Sequence, residues 1–127
     1  MSALVLDSGA LVAAERDERT VIARLRVAAQ SGMQLRSTGI VIAEAWRDQR
    51  GRQARLARLL KAIDVAPVDL DLGRQSGELL GRAGTGDAAD ATVVAVATSG
   101  DRILTSDPRH IRTLVDASRQ AIHVLAC

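Results

Sequence analysis

The chain has 127 residues, which suits a single domain over 1–127 with one hydrophobic core. Hydrophobic residues make up 47% and charged residues 25%, with a mean hydropathy of +0.08, a balance that excludes a disordered chain. The formal net charge of +2 is too small to establish nucleic-acid binding by itself.

Cys127 is the single cysteine, so an intrachain disulfide and a Cys-rich zinc site are both excluded. Asp7 follows a few apolar residues, and no uncharged run approaches the ~18 residues that a membrane helix needs. A soluble, cytoplasmic protein that uses no membrane is expected. Trp46 is the only aromatic among Phe, Trp and Tyr, so the core must be Leu, Ile, Val and Ala, and stacking on nucleic-acid bases is nearly unavailable.

In chain order, Leu4-Val5-Leu6 is a short apolar run closed by Asp7-Ser8-Gly9, the pattern of a buried strand that stops at a turn. From Leu11 to Gln30 apolar residues recur at helical spacing, which predicts one long helix ended by Ser31-Gly32. A short strand is expected over Met33–Arg36. Ser37 or Thr38 can cap the next helix, which carries Ile40, Val41, Glu44 and Ala45 until Gly51 interrupts it. A further helix, Arg52–Ala62, gathers Leu56, Leu59, Leu60 and Ile63 on one face and Arg52, Arg55 and Arg58 elsewhere. Between Arg47 and Lys61 stand six basic residues against one acid, Asp48. That is a basic stripe.

Val65–Val68 reads as a strand whose Pro67 places it at or near a sheet edge. Helices over Asp71–Arg82, Ala88–Thr98 and Pro108–Ala117 follow, with strands at Arg102–Thr105 and Ala121–Leu125. Strand and helix alternate throughout. Such alternation predicts an α/β sandwich, a mostly parallel sheet of about five strands flanked by helices on both faces.

The acids carry the chemistry. In an open parallel sheet ligands collect beyond the carboxyl ends of the strands, and Asp7 and Asp107 each follow a predicted strand. Asp87 and Asp90 stand at the start of an apolar helix, where acids also favour the positive end of the helix dipole without any catalytic role. Asp90 runs straight into Ala91-Thr92-Val93-Val94, so its side chain is expected to point into the domain edge. Glu44 interrupts Gly39-Ile40-Val41-Ile42-Ala43 and Ala45-Trp46; if buried, it needs a partner, either Arg47 one turn away or a metal ion. A divalent cation, Mg²⁺ or Mn²⁺, takes hard oxygen ligands and would relieve the repulsion among these carboxylates. It would also support hydrolysis of a phosphodiester. Of the two histidines, His110 lies close enough to Asp107 to touch substrate, whereas His123 belongs to a strand. The glycines of Gly84-Thr85-Gly86-Asp87 lack the strand before and the Lys-Ser/Thr after that a phosphate loop requires, and read as a turn.

"LVLDSGALVA", "IVIAEAW", "DAADATVVAVA" and "ILTSDPRHI" resemble, in order and spacing, the four acidic motifs of PIN-domain ribonucleases, and most of all the short toxins of VapBC toxin–antitoxin modules. The resemblance spans essentially the whole chain. It implies a PIN-like three-layer fold in which Asp7, Glu44, Asp90 and Asp107 are the catalytic acids and hold the metal, with Asp87 as an extra acid one turn before the third. Whether Asp87 or Asp90 lies closer to the ion is left open, with Asp90 favoured. Ser8, Thr105 and Ser106 stand where the family has small hydroxyl residues beside the site; Arg47 and Arg50, with the stripe that follows, are candidates for RNA phosphates. The resemblance further implies a Mg²⁺- or Mn²⁺-dependent endoribonuclease acting on tRNA or ribosomal RNA as a type II toxin, a cognate VapB-like antitoxin partner and a homodimer.

Three other readings compete. A receiver-type signalling domain wants an acidic pair after its first strand and a late lysine, but Asp7 has no acidic neighbour and the only lysine is Lys61. An aspartyl-nucleophile phosphatase wants a second Asp where Gly9 stands. A catalytically inactive PIN-like module that binds RNA or antitoxin is opposed by the presence of all four acids.

Overall fold

Ala3–Leu6 (β1) is buried along its whole length, and the residue that ends it, Asp7, starts the next element at once. A computed structural model of the chain describes residues 2–127, the side chain of Gln49 excepted. Instead of a turn at Asp7-Ser8-Gly9, helix α1 runs over Ser8–Glu15, because the Asp7 carboxylate caps it. The long helix expected up to Gln30 is two, α1 and α2 (Arg19–Gln30). Glu15 to Arg19 are five consecutive charged residues with no apolar side chain to continue a buried stripe, and Asp17 turns the chain there at φ 58°.

β2 (Gln34–Thr38) extends two residues beyond the predicted strand. Its last residue, Thr38, caps α3 (Gly39–Ala45). That helix stops well before Gly51, since Trp46 is already extended. The loop after it is tied together by one side chain: Gln53 Oε1 accepts the amides of Arg47 and Asp48, both at 2.6 Å, and its Nε2 donates to the Ala45 carbonyl at 2.9 Å. A 3₁₀ turn at Gln49–Gly51 and helix α4 (Ala54–Leu60) follow. Leu56 is buried as the stripe predicts, while Arg52, Arg55 and Arg58 are exposed.

β3 (Ile63–Ala66), α5 (Leu70–Ala83), α6 (Ala88–Ala95), β4 (Arg102–Thr105), α7 (Pro108–Ser118) and β5 (His123–Ala126) complete the chain. All strand pairs are parallel, in the order β3-β2-β1-β4-β5. The strand carrying Pro67 in the sequence reading ends at Ala66 and is indeed an edge strand. Helices α1 to α4 pack among themselves, as do α5 to α7, with α3 also meeting α6; for this strand order the right-handed rule for parallel connections assigns the two groups to opposite faces of the sheet. The five-stranded α/β sandwich read from the sequence is the fold observed.

At the amino ends of the strands Asp101, 4% exposed, accepts the amides of Ala3 and Thr98 and so pins β1 to the loop before β4. This acid belongs to the scaffold. It stands at the opposite end of the sheet from Asp7 and Asp107.

Candidate functional site

The chain leaves β1 toward β2 and returns on the other side of β1 as β4. Beyond the carboxyl ends of β1 and β4 lies the crevice where the strand order reverses, the place at which open parallel sheets receive ligands. Asp7 projects from the end of β1, and Asp107 stands two residues beyond Thr105, the end of β4.

Asp7 is 3% exposed. Its Oδ1 accepts the Ala10 amide at 2.8 Å; its Oδ2 accepts the Thr105 hydroxyl and, at 3.2 Å, the Ser106 amide. Burial pushes the Asp7 carboxyl above its ordinary value, the three hydrogen bonds oppose this, and the Asp107 charge adds to the rise. Thr105 is fully buried and its hydroxyl also accepts the Asp107 amide at 2.9 Å. With both of these bonds made, it holds Asp7 and the start of the Asp107 loop in place. Ser106 and Asp107 are exposed at the rim, and half-buried Ser8 opens α1 beside Asp7.

Gly9 lies where α1 passes against this loop. A β-carbon there would overlap both Oγ and Cβ of Ser106. Only the missing side chain lets the helix start so close to the acids.

A second group of donors comes from the α5–α6 turn and α7. Asp87 caps α6 through its Oδ1, which accepts the Asp90 amide at 3.0 Å. Asp90 Oδ2 meets His110 Nδ1 at 2.7 Å, and His110 Nε2 meets Thr85 Oγ1 at 2.7 Å. Among the described residues, Asp87, Asp90 and His110 are the one set of three whose donor atoms all lie within 4.8 Å of one another. Burial raises the Asp90 carboxyl, the hydrogen bond and charge of His110 pull it down, and the charges of Asp87 and Asp7 raise it again. The fields of Asp7 and Asp90 thus reach each other across the crevice. Asp90 is half-buried, whereas Asp87 is exposed.

The shift of Asp90 gives a pH dependence. A carboxyl raised by folding keeps its proton to higher pH in the folded than in the unfolded chain, so its ionisation costs stability at neutral pH. That cost disappears as pH falls through the raised value toward 3.8. Asp90→Asn keeps an oxygen for His110 and removes the charge. In chelator it should melt above the parent protein at neutral pH, with the gap closing as pH falls toward 3.8. Thermal melts across that range check this; equal melting temperatures at pH 7 would contradict it.

Glu44 departs from expectation. The helix it was read into is short, Val41 and Ala45 take its buried face, and Glu44 is exposed with no ion pair among the described residues. It therefore needs no buried partner, and it stands outside the close group of donors. Arg47, its expected partner, donates instead to the carbonyls of Ala43 and Trp46 at 2.9 and 2.8 Å. Arg50 is exposed, with left-handed backbone at φ 57°. A cavity of about 400 Å³ is lined by Leu4, Val27, Met33 and Leu125 with Arg24 and Arg102, has no acid in its lining and lies apart from the crevice. No helix among the described residues is long and apolar enough to cross a membrane.

A sequence description of the PIN domain matches residues 4–114 of this chain. Two solved structures share its fold. VapBC2 from Rickettsia felis, bound to a DNA fragment from its promoter, has a TM-score of 0.69 at 14% identity over 98% of each chain. FitAB bound to an IR36 DNA fragment has a TM-score of 0.63 at 16% identity, over 97% of this chain and 94% of that one. No curated protein matches the chain.

Proposed function

The chain belongs to the PIN-domain family, and on that premise we propose that it is a divalent-metal-dependent endoribonuclease, the toxin of a type II toxin–antitoxin module. The observation that carries this reading is that Asp7 and Asp107 follow the ends of the neighbouring strands β1 and β4, while Asp87, Asp90 and His110 bring their donor atoms within 4.8 Å of one another. Their chemistry fits Mg²⁺ or Mn²⁺: hard carboxylate oxygens at a polar edge, whose mutual repulsion a cation relieves.

In this reading Asp7, Asp90 and Asp107 hold the ion, Asp87 lends its charge, and Glu44 contributes from the exposed face of α3. Bound there, the ion supplies a polarised water and neutralises charge at the scissile phosphate. The protein's own part is orientation. Thr105 and the Ser106 amide fix Asp7, the start of α7 fixes Asp107, and Ser8 and Ser106 line the rim where a phosphate would rest. Arg47, Arg50 and the exposed arginines of α4 grip RNA backbone, a salt-sensitive and sequence-independent attraction. A VapB-like antitoxin restrains the enzyme, and a homodimer is its expected assembly. The antitoxin partner is supported by the toxin–antitoxin complexes that share its fold.

The test is to incubate the purified protein, free of any partner, with total RNA in Mg²⁺ or Mn²⁺ and to map new 5′ ends beside an EDTA control. Discrete cuts that EDTA removes, bearing 5′-phosphates, are the expected result. A folded protein that cuts nothing with either ion would turn the reading to a binding-only PIN module.

A further inference from the structure

We infer that His110 is itself a ligand of the divalent ion, through Nδ1, beside Asp87 and Asp90; this rests on the metal-dependent reading above. Three observations converge on it. First, Nδ1 stands 2.7 Å from Asp90 Oδ2, close to the ~3 Å between neighbouring donors on an octahedral ion with bonds of 2.0–2.1 Å. Second, the far side of the ring is already held: Nε2 meets the Thr85 hydroxyl at 2.7 Å. The Thr85 hydroxyl can accept from Nε2, which would leave the Nδ1 lone pair to an ion, the arrangement in which histidines bind metals. Third, His110 lies three residues after Asp107 in the first turns of α7, so one helix start delivers both to the same edge.

Nδ1 and Asp90 Oδ2 share a hydrogen bond, and an ion held by both would take the place of its proton. A nitrogen donor has a consequence for the choice of ion. Mg²⁺ takes oxygen and gains little from imidazole, whereas Mn²⁺ belongs to the first-row series that binds it. His110 should therefore tilt the site toward Mn²⁺.

The experiment is pulsed electron paramagnetic resonance of the protein loaded with Mn²⁺ alone, with calorimetric titration of Mn²⁺ and Mg²⁺, on the parent chain, His110→Gln and His123→Gln. Nitrogen coupling is expected in the parent and in His123→Gln and lost in His110→Gln. The last should bind Mn²⁺ about tenfold or more weaker while Mg²⁺ affinity changes far less. Bound Mn²⁺ without nitrogen coupling in the parent chain, or coupling that survives His110→Gln, overturns this inference and leaves the metal-dependent reading standing. A parent chain that takes up Mg²⁺ but no Mn²⁺ overturns this inference alone, and one that takes up neither overturns both.

Discussion

An Asp7→Asn protein should fold and bind RNA yet lose metal-dependent cleavage by about 10³-fold or more, the scale on which removal of a charge aimed at the reacting centre is felt. Asp7 is the most deeply buried of the converging acids, and its two oxygens are spoken for by Ala10, Thr105 and Ser106. An asparagine of the same shape can keep its oxygen toward the Ala10 amide, so the cap of α1 survives. Its Nδ2 then faces the Ser106 amide, donor against donor, which costs about 1 kcal/mol or somewhat more. Relief of the buried charge works the other way, so the melting temperature should move little. Cleavage rate, Mn²⁺ affinity and circular dichroism, measured together on the variant, separate a lost metal from a lost fold. A folded Asp7→Asn that cuts RNA at the parent rate would remove the carboxylate crevice as the origin of the activity.

Much of this crevice can be read without coordinates, because each strand is a short apolar run that must stop where a polar residue begins. Leu4-Val5-Leu6 before Asp7 and Ile103-Leu104 before Thr105 fix two strand ends, and in a parallel sheet strand ends share an edge. Helix limits were less legible. Glu15 to Arg19 break the amphipathic stripe, yet the apolar residues on either side keep helical phase, so periodicity alone joins α1 to α2. Glu44 misleads in the opposite direction. "IVIAEAW" looks buried throughout, but α3 has only seven residues and one narrow inward face, which Val41 and Ala45 fill. His110 could not be paired with Asp90 from sequence at all. Twenty residues separate them, and they meet only because α6 and α7 start at the same edge and pack together.

Gly9→Ala should injure both stability and activity, although it adds one methyl at a site where the backbone is ordinary α-helix. Gly9 has no left-handed backbone to protect; the whole effect is contact. The new β-carbon would overlap Ser106 at Cβ as well as Oγ, so rotating the serine side chain cannot clear it, and either the first turn of α1 or the loop at Ser106 must move. That loop carries the Ser106 amide that holds Asp7 and leads directly into Asp107, whose amide is tied to Thr105. Overpacking of this kind costs about 1–3 kcal/mol, or a melting temperature lower by roughly 4–12 °C, and a displacement near 1 Å at a catalytic carboxylate costs ~10²-fold in rate. Ser106→Gly removes both atoms that the methyl would meet. The pair Gly9→Ala with Ser106→Gly should thus melt well above Gly9→Ala alone and no lower than Ser106→Gly by more than ~0.5 kcal/mol, the signature of two residues coupled by direct contact. Additive losses in that cycle would mean that Gly9 matters for a reason other than the closeness of α1 to the loop that orders the acids.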